Sequence, residues 1–393
     1  MPPVNRIAEF APDMKTWRRH LHAHPELGLD CVETAAFVAA RLREFGVDAV
    51  HEGIARTGVV AVIEGQQPGP VTGLRADMDA LPMSEETGAE HASTNPGRMH
   101  ACGHDGHTAM LLGAARYLAE TRNFAGRVVL LFQPAEETIG GARIMVEEGV
   151  MDRFGIEEVY ALHTNPSLPE GAFATRPGPI MAAVDDFTIT LRGKGGHAAR
   201  PHMCTDPIPA AMGLGLAMQT IASRNTDPLG QIVVSITQVH AGSAWNVIPE
   251  TAMIAGTVRT FDAEVRDMAE ARIRKLAETH AAGADLSVEI TYDRSYPATV
   301  NHTAQTAFAA EIAREIAGAE AVDTDAPPVM GAEDFSYMLE ARPGAYLKLG
   351  QGVGPGVHHP KFDFNDAVAP LGASFFVRLI ERRHALAHAR AAE

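Results

Sequence analysis

Between residues 33 and about 175, short apolar runs alternate with segments of helical periodicity, and few folds accommodate that order. ETAAFVAARLREFG (33–46) is amphipathic and stops at Gly46, HTAMLLGAARYLAE (107–120) and GARIMVEEG (141–149) are helical, and VVAVIEG (59–65), VTGLRAD (71–77), RVVLLFQ (127–133) and EEVYALH (157–163) are strand-like. Apolar strands alternating with helices argue for an α/β layer, a mostly parallel sheet with helices on both faces. In such a layer the ligand sits beyond the carboxyl ends of the strands.

After the turn-rich RPGPIMAAV (176–184) the pattern changes. DDFTITLRG (185–193) alternates with period two, TDPIPAAMGLGLAMQTIAS (205–223) is helical, QIVVSITQV (231–239) and TAMIAGTVRTF (251–261) are strands, AEVRDMAEARIRKLAETHAA (263–282) is a long helix, and LSVEITYD (286–293) is a strand. The order β-α-β-β-α-β is that of a ferredoxin-like α+β unit. It predicts a second domain at 184–294 inserted into a first made of 1–183 and 295–393. The length of 393 residues suits two domains. The chain then returns to α/β character and closes on the helical GASFFVRLIERRHALAHAR (372–390).

A formal charge of −16 repels phosphate backbones and anionic lipid, so nucleic acid and membrane are excluded as expected partners in favour of small molecules or peptides. Cys31, Cys102 and Cys204 are too few and too scattered for a disulfide framework. With no apolar core in the N-terminal segment and no run long enough for a membrane span, the expectation is a soluble, cytoplasmic protein.

Three segments carry residues able to do chemistry. In MHACGHDGH (99–107), Cys102 and His104 flank Gly103, and a turn there can aim a thiolate and an imidazole at one point; a buried cysteine beside structural histidines is the plainer alternative. In FQPAEETIGGA (132–142), Glu136 and Glu137 follow an apolar strand. Facing a cleft, they need a dication to relieve their repulsion, which leaves one free as a base; a helix N-terminus would also favour them. His163 ends EEVYALH, and His358 and His359 lie in the loop GPGVHHPKFDFND (354–366). Cys102, His104, Glu137, His163 and one of the late pair form a mixed S/N/O set larger than one tetrahedral ion needs, which points to two metals.

RRHLHAHPELG, GLRADMDALPM, MHACGHDGHTAMLLGAA, FQPAEE, LRGKGGHAARPH, NVIPETAMIAGTVRTF, GAEDFSYM and HHPKFDFND occur in that order. Together they resemble the signature segments of the M20 metallopeptidase superfamily, most closely the amidohydrolases that include hippurate and auxin-conjugate hydrolases. The resemblance spans nearly the whole chain. It implies metal ligands at Cys102, His104, Glu137, His163 and His358, with His359 standing where the family pattern has Asn, and a general base at Glu136. Asp77, Asp79 and Asp105 are expected to orient those groups from behind. The inserted domain then corresponds to a lid and dimerisation domain. In it, His197 matches a histidine that stabilises the oxyanion, often in the partner subunit's site, with His202 as the fallback. Asn246 and Arg259 match residues that hold the substrate carboxylate, a role suited to the forked guanidinium.

The resemblance therefore implies hydrolysis of the amide of N-acyl amino acids with two divalent ions per subunit, Zn or Mn with Ni or Co as alternatives, in a homodimer. Two rival readings are a hydrolase with Cys102 as nucleophile and a non-catalytic peptide- or metal-binding module on the same scaffold. The first leaves Glu136, Glu137, His163 and His358 without a role.

Overall fold

A computed structural model describes residues 4–385 of the chain. It divides into two compact units. One takes the chain up to Ile180, Val300–Pro327 and the part from Asp334 onward; the other takes Met181–Thr299 and Pro328–Glu333. The second is wider than the 184–294 read from the sequence. Pro328–Glu333 joins it because the Ala182 N–H donates to the carbonyls of Val329 and Gly331.

The first unit is built on an eight-stranded mixed sheet. Its main strands are β1 (Ala49–Ile54), β2 (Gly58–Glu64), β3 (Gln67–Asp77), β4 (Ala125–Gln133), β5 (Glu158–Asn165) and β6 (Gly344–Gly350), in the spatial order β1-β2-β4-β3-β5-β6. The two-residue strands Phe173–Ala174 and Val322–Asp323 extend the far edge. β4, β3, β5 and β6 run parallel, and β1 and β2 are antiparallel additions. The sheet is thus the expected α/β layer, and the carboxyl ends of β3, β4 and β5 share one edge.

Helices α1 (Ala11–Ala23), α2 (Val32–Phe45), α3 (His104–Thr121) and α4 (Ala369–Arg383) build the core around that sheet. α3 is buried along nearly its whole length, as befits a helix with apolar or small residues on every side. Small residues permit its close contacts: a Cβ on Gly113 would lie 2.2 Å from Met14 Sδ in α1 and 3.3 Å from Ala373 Cβ in α4. The described part of the C-terminal helix ends at Arg383, and the rest of the segment expected to be helical, 386–390, lies outside the described residues.

The second unit carries a four-stranded antiparallel sheet ordered Ile232–Ala241, Thr251–Thr260, Ala183–Arg192, Ser287–Arg294. That order is the ferredoxin-like interleaving expected from β-α-β-β-α-β. Helices Pro207–Met218 and Ala263–Gly283 supply Leu214, Met218, Ile273 and Ala277 to a core shared with Phe187, Ile189 and Leu191. Both helices start on an Asp cap: Asp206 accepts from the Ile208 N–H, and Asp262 from those of Glu264 and Val265. Among the described residues no helix is long and apolar enough to cross a membrane.

Candidate metal centre

The parallel strands bring the chemical residues together at one edge. β3 ends in Asp77 and leads to Asp79, β4 leads to Glu136 and Glu137, and His163 lies near the end of β5. α3 begins beside them. Gly103, at φ 90°, makes the left-handed turn that puts Cys102 and His104 on either side of it, and a side chain there would collide with Thr164, whose Cγ2 lies 2.5 Å from the Cβ position.

Each side chain is aimed by a partner behind it. His104 donates from Nδ1 to the Asp79 carbonyl at 2.9 Å, which turns its Nε2 toward the carboxylates. His163 donates from Nδ1 to the Thr164 carbonyl at 2.7 Å and brings Nε2 to 3.4 Å from Cys102 Sγ. Asp79 uses both carboxylate oxygens to accept the backbone N–H groups of Glu136 and Glu137, at 3.0 and 3.1 Å. This clamp holds the two glutamates after Ala135, itself at φ 59°. His358, also left-handed at φ 62°, is anchored by its N–H to the Ala101 carbonyl and approaches Glu137 Oε1 to 3.1 Å through Nε2. His359 instead accepts the Lys361 N–H at Nδ1, so of the two histidines it is His358 that joins the cluster.

Ligand atoms of Cys102, His104 and His163 lie within 4.8 Å of one another, as do those of Cys102, Glu137 and His358, and those of His104, Glu136 and Glu137. The three groups share members and form one continuous cluster. His104 Nε2 is buried without a hydrogen-bond partner among the described residues. It stands 3.7 Å from Asp77 Oδ2, 4.0 Å from Glu136 Oε2 and 3.9 Å from Glu137 Oε1. Those gaps are too long for hydrogen bonds and comparable to the span of two metal–ligand bonds of about 2.0–2.2 Å meeting at an angle.

The electrostatics also call for a cation. Burial opposes charge on His104, yet the carboxylates of Asp77, Asp79 and Glu137 raise its pKa to about 10. His163 is driven the other way by burial and by neighbouring His107 and His104, which keeps it in the neutral form a metal needs. Burial and the carboxylates of Glu137, Glu136 and Asp77 push the Cys102 thiol well up. Without a cation it is a poor thiolate, the opposite of an activated nucleophile. The residues present fit a pair of divalent ions.

Two more side chains stand behind the cluster: His107, one of the histidines that flank the Cys102/His104 pair in the sequence and offer structural support there, and Arg75, which escaped the sequence reading. His107 donates from Nδ1 to Asp77 at 2.6 Å and accepts the Thr164 N–H at Nε2, so both nitrogens are spent and it braces Thr164, whose carbonyl orients His163. Arg75, buried in β3, donates to Asp77 at 2.7 Å, to Gln133 at 2.8 Å and to Asp334 at 2.9 Å. The signal was an arginine inside an otherwise apolar strand. Asp105, in contrast, does not brace the cluster as expected. Its side-chain partners are His22 at 2.8 Å and Arg18 at 3.6 Å.

The remaining candidates belong to the second unit. His197 is exposed in the two-residue strand Gly196–His197, which pairs with Val247–Ile248, and its Nδ1 accepts the Ala199 N–H. Asn246, exposed beside it, accepts the Ala198 N–H through its carbonyl. His202 sits exposed in the short turn Pro201–Met203. Arg259 is half-buried, and desolvation lowers its pKa against the pull of Asp186 and Asp185.

Residues 73–382 match the sequence profile of peptidase family M20/M25/M40. An N-acetyl-L-cysteine deacetylase of Bacillus subtilis is 43% identical over 376 residues, covering 95% of this chain and 88% of the relative. A hippurate hydrolase of Campylobacter jejuni is 39% identical over 376 residues, 96% of this chain and 98% of the relative. The crystal structure of the Bacillus subtilis YXEP protein, described as a dinuclear metal binding peptidase from the M20 family, superposes with a TM-score of 0.84 at 35% identity, covering 96% of this chain and 99% of that one. With the profile and the full-length relatives agreeing, the chain belongs to peptidase family M20/M25/M40.

Proposed function

We propose that this protein is a dinuclear metal amidohydrolase that cleaves N-acyl amino acids into a carboxylic acid and a free amino acid. The observation that carries the proposal is the meeting of Cys102, His104, Glu137, His163 and His358 beside Glu136, with the His104 Nε2 atom buried and without a hydrogen-bond partner among the described residues. The names of the relatives, a deacetylase of an acylated amino acid and a hippurate hydrolase, support the substrate class. Those five residues would hold two divalent ions, Zn or Mn by preference and Ni or Co as alternatives. Bound there, such ions supply Lewis-acid charge stabilisation and lower the pKa of coordinated water from about 15.7 toward 7.

The chain's own residues do the rest. Glu136, fixed at its backbone by Asp79, takes the proton of the attacking water and returns it to the leaving nitrogen. His197 donates to the carbonyl oxygen as that oxygen becomes anionic and its carbon tetrahedral, with His202 the alternative. Asn246 and the Arg259 fork hold the substrate's α-carboxylate. The protein acts as a cytoplasmic homodimer associating through the second unit. Two observations support that state: three free cysteines, and exposed Val239, Val247 and Trp245, 62%, 51% and 105% accessible, beside the edge strand Ile232–Ala241.

The test is a hydrolysis screen over varied acyl and amino-acid halves with elemental analysis. Chelation should abolish turnover and divalent ions restore it. Glu136→Gln should lower kcat roughly 10²–10⁴-fold with metal content unchanged. Turnover that survives chelation and dies on thiol alkylation would instead make Cys102 the nucleophile, and no turnover with any metal would leave a binding module.

A further inference from the structure

A second group of metal-binding side chains lies behind the first turn of α3, outside the cluster described above. His22, near the end of α1, is fully buried. Its Nδ1–H donates to Asp105 Oδ2 at 2.8 Å. A carboxylate behind an imidazole fixes its tautomer and directs the opposite nitrogen outward, as it does for histidines that bind metal. On that outward side His22 Nε2 is 3.3 Å from Glu85 Oε1. One ligand atom each from His22, His91 and Asp363 lie within 4.8 Å of one another.

The outer partners of this group are also in place. His91 Nε2 is 3.1 Å from both oxygens of Asp363, and Asp363 Oδ1 accepts from Arg18 at 2.8 Å. Glu85 accepts the Ser93 N–H at 2.7 Å through Oε2 and the Thr87 hydroxyl through Oε1. The carboxylates of Glu85, Asp105 and Asp363 contact the two imidazoles, and among the described residues Arg18 is the guanidinium paired with Asp105 and Asp363. That balance of two nitrogens and several carboxylate oxygens, with excess negative charge, suits a borderline dication.

We propose that His22, His91 and Asp363, with Glu85 completing the set, form a third cation site that takes Zn²⁺. Its role is structural. The ion joins α1, the loop carrying Glu85 and His91, and the loop carrying Asp363, and through Asp105 it bears on the turn of α3 that presents Cys102 and His104. The competing arrangement is metal-free, with His22 as an imidazolium bridging Asp105 and Glu85.

The decisive measurement is zinc per chain on the full-length protein, stripped with a chelator, reloaded with Zn²⁺, desalted and analysed by mass spectrometry. Wild type should carry one zinc more than His91→Ala or Asp363→Asn, both of which alter partly exposed side chains at the rim. The double variant Cys102→Ser/His163→Ala, which disables the other cluster, should still retain one. In that background Zn²⁺ should raise the thermal midpoint, and the rise should vanish on adding His91→Ala. Equal zinc in wild type, His91→Ala and Asp363→Asn, together with an empty double variant whose melting ignores zinc, would overturn the third site without touching the proposed hydrolase.

Discussion

Asp79 shows how one residue behind a proposed reaction centre can set its geometry. Its two oxygens each accept one N–H, from Glu136 and from Glu137, so its carboxylate fixes the spacing of the proposed base and a proposed ligand. In Asp79→Asn one of those oxygens becomes an NH₂ donor facing a donor. A buried N–H left unpaired costs about 1–3 kcal/mol, and loss of such an orienting partner lowers metal affinity about 10–100-fold. Asp79→Asn should therefore lose metal and activity together, unlike Glu136→Gln, and titration with a fluorescent zinc chelator separates the two. At this scale the sequence was legible where neighbours in the chain are neighbours in space: Cys102 with His104, Glu136 with Glu137. Asp105 was misread for a geometric reason. Successive residues of a helix point about 100° apart, so residue 105 faces away from the cluster that His104 faces. The choice of His358 over His359 was decided by backbone, since the left-handed turn at His358 turns the two rings to different partners.

Among the elements, α3 and its preceding turn matter most to the site. The helix was readable because its apolar residues recur with helical spacing, the strands β4 and β5 because each carries a continuous apolar run, and β3 because VTGL precedes its charged end in the alternating order of elements. Strand β6, GAYLKLG, was not: it is glycine-bounded and interrupted by Lys348, whose neighbour across the sheet is His163. Its strand character comes from pairing with β5, a long-range contact that no local pattern encodes. The turn yields a paired prediction. Gly103→Ala combines a left-handed φ with a 2.5 Å clash against Thr164 Cγ2, whereas Gly149, at φ 80°, has open space around its Cβ position. Each replacement carries a backbone penalty of about 1–3 kcal/mol. Only Gly103→Ala should also displace Cys102 and His104 and cut metal retention, so thermal melts would fall in both variants and zinc content in one.

At the scale of the whole molecule, the insertion was legible because the switch from buried strands to period-two alternation marks a change of sheet type, and the order of elements implied the interleaved topology. What local patterns did not carry is the use of that unit. Its edge strand runs from partly buried to fully exposed residues, and Trp245 follows it wholly in solvent. An open edge with apolar neighbours is a surface that proteins cover, and a twofold dimer covers it symmetrically. Val239→Glu should then convert the proposed dimer to monomers in light scattering. If His197 acts in the partner's site, a further outcome is fixed by symmetry. Glu136→Gln and His197→Ala should then each be strongly impaired as homodimers, but in a hybrid one site would join an intact Glu136 to the partner's intact His197. Co-expression with two affinity tags isolates that hybrid, which should recover about half the wild-type turnover per dimer. A hybrid as inactive as its parents would place His197 in its own subunit's reaction, and a wild-type protein that scatters as a monomer would remove the dimer altogether.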